Sequence, residues 1–308
     1  MQDHPPAPAR ANTLSGNAPV DCRPVRTLPV TVAALLLCFS VQIFQLVRFA
    51  LGSDLYSHVI LIPFVSAYLV WLKRDQLTAQ GTYLARIWPA VFISAGAGLL
   101  ILFFQPSPTP QDSLALAMYS LVLMLAGICY WLLNRPALRA IAFPLVFLLL
   151  MAPLPTSVEV GFETFLQHGS SIVAQSFFQI IGTPVFREGT LFHLPGFNMQ
   201  VAPECSGIHS TVALFITSLV AGQVLLRSNW SRTILALIVI PIALLRNGLR
   251  VTVIGELCVH LGPEMINSFI HVHGGPIFFV LSLIPFAFVL FFLLKIDRKN
   301  KRPIKPAT

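Results

Sequence analysis

Charge is what this chain has least of. Only 10% of its 308 residues are Asp, Glu, Lys or Arg, against about 25% in a soluble domain. That shortage excludes an ordinary soluble protein. Apolar runs of roughly 20 residues, the length that crosses a bilayer, recur along the whole chain. The fold class expected is therefore an all-α polytopic membrane protein. Paired cysteines are also lacking. Cys22, Cys38, Cys129, Cys205 and Cys258 form no Cys-x-x-Cys pair, which argues against a zinc site. A clear internal repeat is missing too, which counts against a transporter built from repeats. No removable signal peptide is expected. The first apolar run begins near Leu28, behind a polar Pro/Ala-rich tail, and is long enough to span.

What is present is a set of apolar runs with basic residues between them. Eight spans are expected, near 29–50, 57–73, 87–105, 113–133, 137–154, 207–226, 233–257 and 275–295. Residues 1–27 have no periodic apolar face and read as a disordered cytoplasmic tail. Residues 28–295 read as one transmembrane domain, and 296–308 as a basic cytoplasmic tail. Arg10, Arg23 and Arg26, then Lys73, Arg74 and Arg86, then Arg135 and Arg139, then Arg227 and Arg232, then the tail from Lys295, fall on alternating connections. Positive residues stay in the cytoplasm, so both termini are expected there. The net charge of +8 then marks the inner membrane face and implies no nucleic-acid partner. The longest outer loop is 155–206. Val158 to Ile181 predicts an amphipathic helix lying in the interface. Pro184 to Val201 predicts a short β-hairpin or extended flap, with turns at Glu-Gly and Pro-Gly.

Three groups return to the outer face. Cys205 precedes the sixth span, at the N-terminal end of a helix, where free amides and the dipole favour a thiolate. Ser206 is a candidate cap, and Gly207 leaves the backbone open to a substrate. A buried inert thiol, or a disulfide with Cys258, is the plainer alternative. Arg246 and Arg250 lie roughly 20 and 25 Å along the seventh span, on one face with Asn247 beside them. Intramembrane charges usually face the protein interior; an arginine reaching the outer headgroups is the alternative. His271 and His273 stand in the last outer loop. Histidine suits proton transfer at neutral pH. His260, His271 and His273 with Glu264 are the candidates for a metal, which remains the less favoured reading. Nucleophile, cation and imidazole together are the parts of a thiol acyl-transfer site.

These residues resemble the exosortase/archaeosortase family of membrane cysteine transpeptidases, from about Leu51 to Leu294. Glu204-Cys205-Ser206-Gly207-Ile208 resembles the family's nucleophile motif. Asn247-Gly-Leu-Arg250 resembles its Asn-x-x-Arg element, and His271-Val-His-Gly-Gly275 its His element, which favours His271 over His273. Tyr56-Ser57-His58 and Ala152-Pro-Leu-Pro155 add to the likeness. Where the family often carries an arginine, two residues after Ser-Gly, this chain has His209. The resemblance implies an enzyme of the inner (cytoplasmic) membrane with an extracytoplasmic active site. Its substrates would be exported proteins with a C-terminal sorting signal: a Pro-Glu-Pro-like motif, a transmembrane helix and a basic cluster. It also implies a link to extracellular polysaccharide production in Gram-negative bacteria. In that mechanism Cys205 attacks, Arg250 stabilises the oxyanion and His271 carries the proton. Arg246, Asn247 and Glu204 would position the site. No cofactor is required. The partners expected are membrane lipids, the exported proteins and an acceptor nucleophile of unknown identity. The alternatives are a transporter, or a non-catalytic subunit of an extracellular polysaccharide export or assembly system.

Overall fold

The computed structural model describes residues 23–53, 55–77, 87–106, 109–202, 205–262, 264–265 and 274–299. The expected disordered tail falls mostly on residues 1–22, outside the described residues. The chain divides into two compact units. One is Met1–Phe44, Ile62–Pro106 and Leu116–Ala152; the other is Gln45–Leu61, Ser107–Ala115 and Pro153–Thr308.

The first unit is helical. It holds α1 (Arg23–Cys38), the start of α2 (Ser40–Leu51), most of α3 (Leu61–Leu72), α4 (Arg74–Leu77), α5 (Ile87–Phe103), most of α6 (Pro110–Leu132) and α7 (Arg135–Phe147). Small residues let α5 and α6 approach closely. A Cβ on Gly96 would lie 2.6 Å from the Met124 side chain, and Ser120 Oγ donates to the Gly96 carbonyl at 2.6 Å. The start of α7 is set by Asn134, whose side chain accepts from the Ala137 amide at 3.1 Å.

The second unit carries the candidate site. It contains α8 (Thr156–Ile181), β1 (Phe186–Glu188), β2 (Leu191–Leu194), β3 (Phe197–Gln200), α9 (Ile208–Leu225), α10 (Asn229–Leu237), α11 (Val239–Leu261) and α12 (Gly275–Lys299). The strands form an antiparallel meander in the order β1-β2-β3. One hairpin was expected; the Gly189 and Pro195-Gly196 turns each make one, so there are two. The sheet's inner face buries Phe192, Leu194 and Met199 against Phe178 of α8 and Val251, Ile254 and Cys258 of α11.

Helices α8 and α11 run side by side in the same direction. Cβ atoms built on Gly169, Gly248 and Gly255 would meet Leu244, Val173 and Phe178 at 2.8, 2.6 and 2.5 Å. Between them Asn247 bonds Ser170 at 3.0 Å, and Thr252 Oγ1 reaches the Ala174 carbonyl at 3.4 Å. The α8 residues that meet α11 are Gly169, Ser170, Val173, Ala174 and Phe178, whereas the polar residues Glu159, Glu163 and Gln167 bond Tyr56, Ser206 and the Val201 carbonyl.

Helix length supports fewer spans than hydropathy does. Pro110–Leu132, Ile208–Leu225, Asn229–Leu261 and Gly275–Lys299 are each long and apolar enough to cross. Thr27–Cys38 with Ser40–Leu51, and Arg135–Met151 with Thr156–Ile181, pass only as interrupted pairs, giving up to six among the described residues. The difference from eight lies in Ser57–Leu72 and Ile87–Phe103, which are apolar but shorter. Hydropathy reads only the residue types there; the ends of the helices decide the length.

Asn229–Leu261 has 33 residues, about 50 Å of helix, against a hydrocarbon core of about 30 Å. Part of it must lie outside that core. At the Asn229 end, Asp297 of α12 binds the α9–α10 corner. Its carboxylate accepts from the Arg227 and Ser228 amides at 3.0 and 3.2 Å and from Ser231 Oγ at 2.7 Å. Arg227, Arg232, Lys295, Arg298 and Lys299 therefore gather at the end of α9 remote from Cys205.

Candidate active site

The segment 201–207 is tied down by side chains from two helices. From α8, Gln167 Nε2 donates to the Val201 carbonyl. Glu163 Oε1 accepts from Ser206 Oγ at 3.4 Å. From α11, Asn247 Nδ2 donates to the Cys205 carbonyl at 2.9 Å and to Ser170 Oγ at 3.0 Å. Arg246 Nη2 donates to the Gly207 carbonyl at 3.1 Å and to Thr211 Oγ1 at 3.4 Å. The Cys205 amide closes a turn onto the Ala202 carbonyl at 2.9 Å. The Cys205 side chain is half-buried and packs on the core shared by α8, α11 and the sheet.

Gly207 is required twice over. It is the N-cap of α9 with φ +78°, a left-handed conformation that glycine adopts without a Cβ penalty. A Cβ there would also stand 2.7 Å from Arg246 Nη2 and 3.1 Å from Asn247 Oδ1. Both facts correct the sequence reading. Ser206 is not the cap; its hydroxyl turns to Glu163. The space over Gly207 is not left open for substrate but is filled by α11.

Arg246 and Asn247 are buried, at 6% and 2% exposure. Arg250 lies one turn further along α11 and is half-buried. His209 is exposed on the first turn of α9. The candidates Glu204, His271 and His273 lie outside the described residues. Cys258 is a free, buried thiol, so the alternative of a disulfide with Cys205 does not hold. His260 pairs with Glu256 at 3.2 Å.

Sequence reasoning missed the α8 side of the site. Glu159, Glu163, Gln167 and Ser170 recur at intervals of four, four and three, which places them on one helix face. That spacing was the available signal. The first of them, Glu159, accepts from Tyr56 Oη at 2.6 Å, and Gln111 Nε2 donates to Glu159, to Tyr56 Oη and to the Leu154 carbonyl. The Tyr56 and Pro153–Pro155 segments, remote in sequence, thus meet on the first turn of α8. The Thr156 amide there donates to Asp112 Oδ1 at 2.8 Å.

A helical membrane fold with a cysteine clamped at a helix N-terminus defines the class. The sequence pattern of the transmembrane exosortase family (Exosortase_EpsH) matches residues 48–288, and the chain belongs to that family. No curated protein and no solved structure matches it.

Proposed function

We propose that this protein is a membrane cysteine endopeptidase and transpeptidase. It cleaves the C-terminal sorting signal of exported proteins at the outer face of the cytoplasmic membrane, with both termini inside. The observation that carries the reading is the double clamp on the nucleophile segment. Asn247 fixes the Cys205 carbonyl and Arg246 fixes the Gly207 carbonyl. This holds the thiol at the amide end of α9, with Arg250 one turn from Arg246 along α11.

Cys205 attacks the scissile carbonyl as thiolate. The positive end of α9 and the Arg250 guanidinium stabilise the tetrahedral oxyanion. As that intermediate collapses, the C–N bond breaks and His271 gives its proton to the leaving amine. The resulting thioester is resolved by an acceptor amine or by water. The substrate's own helix packs among the spans, and its basic tail remains on the cytoplasmic side. Glu204, His273 and His209 are the remaining groups assigned to the site's surroundings.

The test is a gel shift of a co-expressed exported protein that carries a Pro-Glu-Pro-type C-terminal signal. Cleavage with wild type and its loss with Cys205→Ala, at equal expression, is the expected result. Undiminished cleavage by Cys205→Ala would overturn the mechanism.

A further inference from the structure

The end of α9 remote from Cys205 gathers positive charge. Arg227 and Arg232 of the α9–α10 corner meet Lys295, Arg298 and Lys299 of α12, because Asp297 ties the two elements together. That carboxylate is engaged with the corner itself, accepting from the two amides that precede α10 and from Ser231 Oγ. Arg232 is engaged with the end of α9, where its Nε and Nη2 donate to the Leu226 carbonyl at 3.0 and 2.8 Å. Arg227, Lys295, Arg298 and Lys299 differ. All four are exposed, and no ion pair holds them among the described residues. Lys295 stands at i−3 and i−4 from Arg298 and Lys299, where like charges repel. The C-terminal ends of α9 and α12 offset only about half a charge each.

What borders these cations is apolar and also exposed. Trp230, on the first turn of α10, is 74% exposed. Phe291 and Phe292 stand one turn before Lys295 on α12, at 67% and 56% exposure. Leu225, also exposed, lies two residues before Arg227. Cations at the tips of two helices with an aromatic belt beside them match the order in which a bilayer presents headgroup and chain. A free phosphate ion would meet the cations and leave the rings in water. A phospholipid with a net negative headgroup meets both. A zwitterionic headgroup brings its own cation and fits less well.

We propose that this corner is a docking surface for anionic phospholipid. Headgroup phosphates lie among Arg227, Lys295 and Arg298, and acyl chains run along Trp230, Phe291 and Phe292. The apolar side chains accept the chains of any lipid; the cations make the binding selective for the headgroup. Each basic residue near an anionic membrane surface favours association by about fivefold. Asp297 assembles the surface, since it brings cations from the α9–α10 corner and from α12 to one place. The inference stands apart from the reading of Cys205 as a nucleophile.

The experiment is quenching of tryptophan fluorescence in the full-length protein, reconstituted in nanodiscs of equal parts phosphatidylglycerol and phosphatidylcholine. One lipid and then the other carries brominated chains. Subtracting the quenching seen in Trp230→Phe isolates the signal of Trp230. The association of the two lipids beside Trp230 should favour phosphatidylglycerol by about fivefold or more. The preference should shrink at about 1 M salt, where the Debye length is about 3 Å. Combining Arg227→Gln, Lys295→Gln and Arg298→Gln should bring the ratio close to one. Equal quenching by both lipids in wild type overturns the proposal, whether or not the triple variant inserts. A preference that survives in the triple variant overturns it as well, because the cations are then not its source. If millimolar inorganic phosphate removes the preference, the corner is a free-anion site and the lipid reading falls. The assay needs no sorting signal, so its outcome is separate from that of the cleavage test.

Discussion

Gly207 and Asn247 are the residues on which the site's geometry depends. A side chain at 207 has to be placed at φ +78° and within 2.7 Å of Arg246. The left-handed backbone alone costs about 1–2 kcal/mol, so Gly207→Ala should lower the melting temperature in detergent and abolish sorting together. Asn247→Leu removes a donor from both the Cys205 carbonyl and Ser170. Leaving such buried groups unsatisfied costs about 1–3 kcal/mol each. Processing is expected to fall by at least about tenfold in a Leu variant that still inserts; wild-type turnover in that variant would show that the clamp is dispensable. Cys205, Arg246 and Arg250 stand out in the sequence because charged or nucleophilic residues in an apolar chain are conspicuous, and Asn247 stands out as a polar group beside them. The reason for Gly207 is not legible there, since the neighbour that excludes a side chain lies 39 residues away in sequence.

At the scale of elements, the pairing of α8 with α11 sets the site. Both helices contribute to the clamp, and both present small residues at their contact. Gly248→Leu would drive a side chain into Val173, where a Cβ already comes within 2.6 Å. Overpacking of this kind costs about 1–3 kcal/mol. The expected outcome is a lower melting temperature with loss of cleavage; an unchanged melting curve would mean that the helices part without cost. The helix over 158–181 and the extended segment after it were both legible from periodicity and turn residues. Their packing was not, because Glu159, Glu163 and Gln167 read as a solvated face until Tyr56, Ser206 and the Val201 carbonyl are placed against it. Asp297 belongs to the same scale. Asp297→Ala strips an acceptor from two amides and a hydroxyl at the α9–α10 corner. It should reduce stability by about 1–3 kcal/mol, measured as the melting temperature, and leave the thiol chemistry intact.

For the whole molecule, the apolar composition made a membrane protein legible at once, whereas the number of spans was not. Hydropathy gives equal weight to the short helices Ser57–Leu72 and Ile87–Phe103 and to the long ones, and only helix ends distinguish them. The proposed orientation has its own check. Cysteines introduced at Gly196 in the β2–β3 turn and at Ser228 in the α9–α10 corner should be labelled by an impermeant maleimide from opposite sides of the membrane, Gly196 from outside. Labelling of both from one side would contradict the topology. The central claim is that an acyl group passes through Cys205. Its most direct test is to add hydroxylamine to cells or membranes that are processing a sorting-signal substrate. A thioester at Cys205 predicts a substrate fragment ending in a hydroxamate, formed by wild type and absent with Cys205→Ala. Cleavage that proceeds without any hydroxamate, or that yields it equally from Cys205→Ala, would contradict the account.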